Sequence, residues 1–241
     1  KIDPTAMGPF VSFGIMLYQK RSDFEGALVS FRRALGRDAG LGDEIIERLC
    51  YYHIGRIYQF GLDFDRSRVA LLKAIQLDPN YSDAWFELGR NLYEESILDS
   101  GDIEQRKKQL IEARDTFKNG IQALVRYRGG LVVVDRTNLP FDSSLPFSAR
   151  DHNRSLRDIR IRILEELGRF RGRISAISLV LGDPDRVIAE HKAARTEGSL
   201  NEELKRMLIA AKRLQRESEP PEGEPVPSGA VTGEGNPDNR N

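Results

Sequence analysis

The chain has 241 residues, 39% hydrophobic and 31% charged, which is the balance of an ordered protein with room for a sizeable core. Lysine plus arginine total 37, as do aspartate plus glutamate, so no net charge directs the chain to nucleic acid or to an anionic membrane. The single cysteine, Cys50, excludes an internal disulfide framework and a cysteine-built zinc site, and no apolar run approaches the ~18 residues of a membrane span.

In chain order, "KIDPTAMGPF" has no initiating methionine and no signal-peptide pattern, and residues 1–7 read as a vector-derived or disordered segment. The favoured compartment is the cytoplasm. A periplasmic or lipid-anchored protein stays open if a native leader was removed. The next stretch, "FGIMLYQKRSDFEGALVSFRRALGR", holds Ala27, Phe31 and Ala34 at helical spacing, with Gly14 one residue out of frame. In 48–81 the same order is fuller: Gly55, Tyr58, Ser67, Leu71, Ala74 and Pro79. Helices are expected at about 42–60 and 65–78, joined by the turn "GLDFD". Gly55 lets the second helix approach the first, Tyr58 and Leu71 fill the space between them, and Pro79 ends the pair. The sentence then repeats with a shift of 34: Trp85, Leu88, Gly89 and Leu92 fall under Tyr51, Ile54, Gly55 and Tyr58.

The pattern W-x2-L-G-x2-Y followed by small, aromatic, alanine and proline positions resembles the tetratricopeptide repeat (TPR). The resemblance covers residues 8–125 and implies an all-α solenoid of about three helix-turn-helix repeats. In the third, Ala113, Phe117 and Gly120 keep their mutual spacing but stand 12 residues downstream of their expected places. The insertion, around "ILDSGDIEQRKK", is expected to lengthen both helices into a projecting arm. Residues 126–150 read as a loop packed on the solenoid, with a short strand conceivable at 131–134. Residues 151–217 read as a C-terminal helical region. Its helices are expected at 153–168, 170–181 and about 185–196, with a last one opened by a capping box of Ser199 and Glu202. The segment 218–241, rich in proline and glycine, reads as a disordered tail.

No catalytic constellation emerges, and neither a cofactor nor a metal is expected. His53, His152 and His191 stand alone. His53 reads as a partly exposed polar position on the first helix of its repeat, and His152, beside Asp151 and Asn153, as capping chemistry. Cys50 reads as a buried thiol.

In the TPR architecture the first helix of each repeat lines the concave side. The positions around each glycine are then Tyr52, Arg56 and Gln59 in one repeat and Phe86, Arg90 and Tyr93 in the next. At i, i+4 and i+7, each triplet forms one stripe. These six are the candidate groove, suited to a protein or peptide segment bearing carboxylates and apolar side chains. The competing reading pairs Arg56 and Arg90 with internal acids such as Glu87 or Glu94. Chaperone-binding members of the family carry an asparagine just after the glycine. Arginine stands there in both repeats, so that specialised role is not expected.

A candidate basic surface comprises Arg154, Arg157, Arg160, Arg162, Arg169, Arg171 and Arg173. With one aromatic residue interleaved, nucleic acid is disfavoured as its partner. The sequence therefore points to a non-enzymatic interaction scaffold or adaptor. The alternatives are an assembly subunit using the C-terminal helices or the arm, a nucleic-acid-associated protein using the arginines, and a small-ligand site beside the loop.

Overall fold

The computed structural model describes residues 8–36, 44–99, 101–136 and 149–218, with the side chains of 128–160 excepted. The expected N-terminal segment 1–7 and the tail beyond Ser218 lie outside the described residues. Helix follows helix: α1 (Gly8–Lys20), α2 (Phe24–Leu35), α3 (Glu44–Phe60), α4 (Phe64–Leu77), α5 (Ser82–Leu98), α6 (Ile103–Arg136), α7 (Ala149–Val180), α8 (Pro184–Glu197) and α9 (Glu202–Ser218). Among the described residues there is no strand. The chain is an all-α stack of helical hairpins.

Each hairpin is set by local chemistry. Asp23, Asp63 and Asp183 stand just before α2, α4 and α8, and their carboxylates accept the N–H of Gly26, Arg66 and Arg186 at 2.9, 3.2 and 3.0 Å. An aspartate there satisfies an orphan donor and sits at the positive end of the helix dipole. Inside the first three hairpins the repeated glycine has one job. A Cβ on Gly14, Gly55 or Gly89 would come within 2.9, 2.7 or 2.8 Å of Phe31, Leu71 or Phe117. The absent side chain is what lets the two helices close on one another.

Measured from Gly89 and Phe117, the third hairpin extends further toward its turn than the second does from Gly55 and Leu71. Helix α5 runs to Leu98, nine residues past Gly89, whereas α3 ends at Phe60, five past Gly55. Helix α6 begins at Ile103, fourteen residues before Phe117, and α4 begins seven before Leu71.

Beyond residue 125 the structure corrects the sequence reading. Residues 126–136 continue α6, so there is no loop over that stretch and no strand at 131–134; positions 137–148 lie outside the described residues. The helices expected at 153–168 and 170–181 are one helix, α7. Gly168, where the first of these was expected to end, is a packing position: a Cβ there would lie 2.7 Å from the Ser199 carbonyl oxygen at the start of the α8–α9 connection. The period-2 stretch "DIRIRI" is helical because Ile163, Leu167, Phe170, Ile174 and Ile177 are all buried at three- and four-residue spacing. The expected capping box before α9 does not form. Asn201, not Ser199, accepts the Leu204 N–H, at 2.9 Å.

The C-terminal region is itself a fourth hairpin. Counting four, eight and eleven residues from the capping aspartate gives Ala27, Phe31, Ala34; Ser67, Leu71, Ala74; and Val187, His191, Ala194. Val187 and Ala194 are fully buried like their counterparts, and buried Ser175 occupies the glycine slot on α7. Helix α9 packs on α7 and α8 and closes that end.

Candidate functional site: the inner face of the first helices

Successive first helices touch, α1 with α3 and α3 with α5, while α2 and α4 make no comparable contact. The stack therefore curves with the first helices inside. The six groove residues predicted from sequence lie on α3 and α5, and the structure joins most of them in one network. Arg90 donates to Gln59 Oε1 at 3.0 Å, and Gln59 donates to Glu94 at 3.1 Å. Arg90 also pairs with Glu87 at 3.0 Å and with Glu94 at 3.4 Å, and Arg56 approaches Glu87 at 3.6 Å. The two arginines thus already face two carboxylates, which is the competing arrangement anticipated above. Burial pushes the Glu87 carboxyl above its ordinary value, against the pull of Arg90, Arg56 and Arg169.

Several of the six are withdrawn from solvent. Gln59 is 2% exposed, Phe86 7% and Tyr52 9%. Phe86 packs edge-on against Phe117 and Phe170, with centroids 5.5 and 5.2 Å away. Tyr52 contacts Tyr81 and His53 at 5.2 and 5.0 Å. The half-buried groups Arg56, Arg90 and Tyr93, with Glu94, remain open to a partner.

Among the described residues the basic surface is dispersed. The side chains of Arg154, Arg157 and Arg160 lie outside the described residues. Arg171 is a correction: it is 7% exposed, bonded to Glu190 at 2.5 Å and to Glu197 at 3.1 and 2.7 Å. Burying a guanidinium requires such partners, so Arg171 is an internal tie and not part of a surface. Arg173 is exposed. Arg169 lies 4.3 Å over the Phe86 ring and so joins the inner face. Nothing in the sequence links Arg169 to Phe86, because helix α7 brings it there only through its packing on α6. Arg162 lines a polar cleft of about 310 Å³ with Arg48, Asp83 and Glu166. Burial and then Asp83 raise the Glu166 carboxyl, which accepts the Ser82 hydroxyl at 3.3 Å.

His53 departs from the expected half-exposed position. It is 8% exposed, its Nδ1 lies 2.7 Å from the Tyr18 hydroxyl, and it stacks on Phe31 at 5.6 Å. Burial, helped by Arg56, pulls its pKa from 6.5 down to about 4. The neutral ring is the folded form, so its contribution is full above pH ~6.5 and is lost as pH falls toward 4. On this basis the stability of the wild type, relative to His53→Phe, is expected to fall by about 2–3 kcal/mol between pH 7.5 and 4.5. Urea unfolding at several pH values measures this, and parallel curves for the two proteins would refute it. Cys50 is buried as expected, its thiol pushed up to about 12 by burial and then by Glu47. Among the described residues no group of three or more His, Cys, Asp or Glu side chains is placed to hold a metal ion. No described helix is long and apolar enough to cross a membrane.

No protein-family model matches the chain, and no curated protein does. Among solved structures it is similar to a thermophilic TPR protein of Thermus thermophilus, at 17% identity and a TM-score of 0.43, over 86% of this chain and 100% of that one. The hairpin geometry itself, with its glycine approaches and aspartate caps, makes the fold an all-α, TPR-like helical solenoid.

Proposed function

We propose that the chain is a non-enzymatic interaction scaffold that holds an extended segment of a partner protein along the inner face of α3 and α5. The supporting observation is the cross-helix network Gln59–Arg90–Glu94, which holds the two stripes side by side as one surface. An acidic residue of the partner would exchange with Glu94, whose side chain is 38% exposed, and not with Glu87, at 9%. Tyr93 supplies flat contact area beside it.

A photo-reactive phenylalanine analogue placed at Tyr93 is expected to crosslink a discrete partner in the source cells, and the same analogue at exposed Val180 is not. The adduct is expected to map to an acidic segment and to strengthen severalfold with Glu94→Arg, which removes the competing carboxylate and adds a cation. Equal labelling from both positions, or an adduct indifferent to residue 94, overturns the reading. Arg90→Ala leaves Glu87 buried without its nearest cation, so stability is expected to fall by about 1–3 kcal/mol in thermal unfolding.

A second reading, assembly through the C-terminal helices, draws on Ile209 and Leu214 of α9, which are 63% and 40% exposed. Light scattering well above 27.3 kDa that reverts with Ile209→Glu would favour it.

A further inference from the structure

The outer surface carries a second groove, with a cationic rim. Helices α2 and α4 flank it and α3 forms its floor, where Tyr51, Ile54 and Tyr58 lie beside Val69 and Ala70 of α4; it encloses about 380 Å³. That volume is in the range of specific ligand clefts, ~300–1,000 Å³. Val69 is 59% exposed although it borders an apolar floor.

The rim is cationic. Arg32 donates to the Tyr58 hydroxyl at 3.1 Å, and the Lys73 ammonium sits 5.1 Å from the Tyr51 ring centroid. Among the described residues neither has a carboxylate within ion-pair distance. Arg66, 5.7 Å from the Tyr58 ring, meets Asp63 at 3.4 Å, at the solvent-facing turn. The acid on the rim, Asp65, approaches Arg68 at 4.0 Å, away from the groove. Three cations and one acid around the lining leave a net charge of +2.

We infer that this outer groove docks a short acidic, amphipathic segment of a partner protein. Its leucine or phenylalanine side chains would lie on Tyr51, Ile54 and Val69, and its carboxylates would reach Arg32 and Lys73. Aromatic rings under cations favour such a segment twice over, by area and by charge. This surface is separate from the inner face, so either can fail without the other.

The test uses the full chain and a fluorescein-labelled ten-residue peptide of alternating glutamate and leucine pairs, with a lysine-for-glutamate analogue as control. Binding of the acidic peptide is expected, weakening with added salt, with shifts at the Val69 and Ile54 methyl resonances. Arg32→Glu/Lys73→Glu is expected to weaken it tenfold or more. Val69→Glu should do the same, whereas Lys107→Glu/Lys118→Glu on α6 leaves it unchanged. Circular dichroism keeps unfolded variants out of the comparison, and Lys73→Gln, milder than reversal, should weaken binding about threefold. No binding, equal binding of the lysine analogue, or binding that survives the double reversal overturns the proposal. So does a tenfold gain in affinity on removing residues 219–241, since the native occupant would then be this chain's own tail.

Discussion

Arg171→Ala is expected to destabilise the C-terminal hairpin by about 3–5 kcal/mol, because it leaves the buried Glu190 carboxylate without its main cation. The Glu190 side chain is 4% exposed, and with Arg171 gone its remaining partner is Arg186, at 2.7 Å, whose own side chain is 36% exposed. Glu197 loses a two-pronged contact as well. The loss should be regional: amide hydrogen exchange is expected to rise across α7, α8 and α9, while α1–α4 stay protected. The paired change Arg171→Leu/Glu190→Leu removes both charges and should recover most of the stability, because desolvating an ion pair offsets much of its attraction. Should Arg171→Ala cost less than about 1 kcal/mol, or should the paired change be no better than the single one, the tie is not what holds this hairpin.

Phe170→Ala should cost about 3–5 kcal/mol and loosen the join between the third and fourth hairpins. The ring is 2% exposed and stands edge-on to both Phe86 and Phe117, 5.2 and 6.1 Å away, so three helices meet on it. On its other side lies Gly120, where a Cβ would fall 2.1 Å from the ring. Gly120→Ala therefore reverses the usual rule: alanine favours a helix by up to about 1 kcal/mol, yet here the overlap should give a net loss of about 1–3 kcal/mol. The coupled pair Gly120→Ala/Phe170→Leu should be more stable than the sum of its singles predicts, and urea unfolding of the four proteins measures that coupling. Strict additivity would mean that the ring and the glycine do not press on one another.

The first hairpins were legible because their signals are local. Gly55, Leu71 and Ala74 follow from the close approach of two neighbouring helices, and Asp63 caps within three residues of itself. The fourth hairpin obeys the same aspartate rule through Asp183, Val187 and Ala194, but its glycine is a serine, its aromatic a histidine, and its tryptophan slot is Arg171. There an ion pair has replaced ring packing, and a motif written in apolar residues does not register it. The split expected between 168 and 170 failed for a similar reason. A glycine that ends a helix and one that admits a neighbour look alike until the neighbour is placed.

The sequence by itself determined the helical class and the TPR-like hairpin pattern, and it offered the two stripes on α3 and α5 as candidates, since each depends on spacing along one or two adjacent helices. The tertiary structure alone decided what those stripes are worth: that Arg56 and Arg90 meet Glu87 and Glu94, that Arg169 covers Phe86, and that Arg171 is internal. The physical reason is range. Helix periodicity and caps act over a few residues. The partner of a long charged side chain depends on how separate helices are brought together, and for Arg169 and Phe86 that means elements more than 80 positions apart.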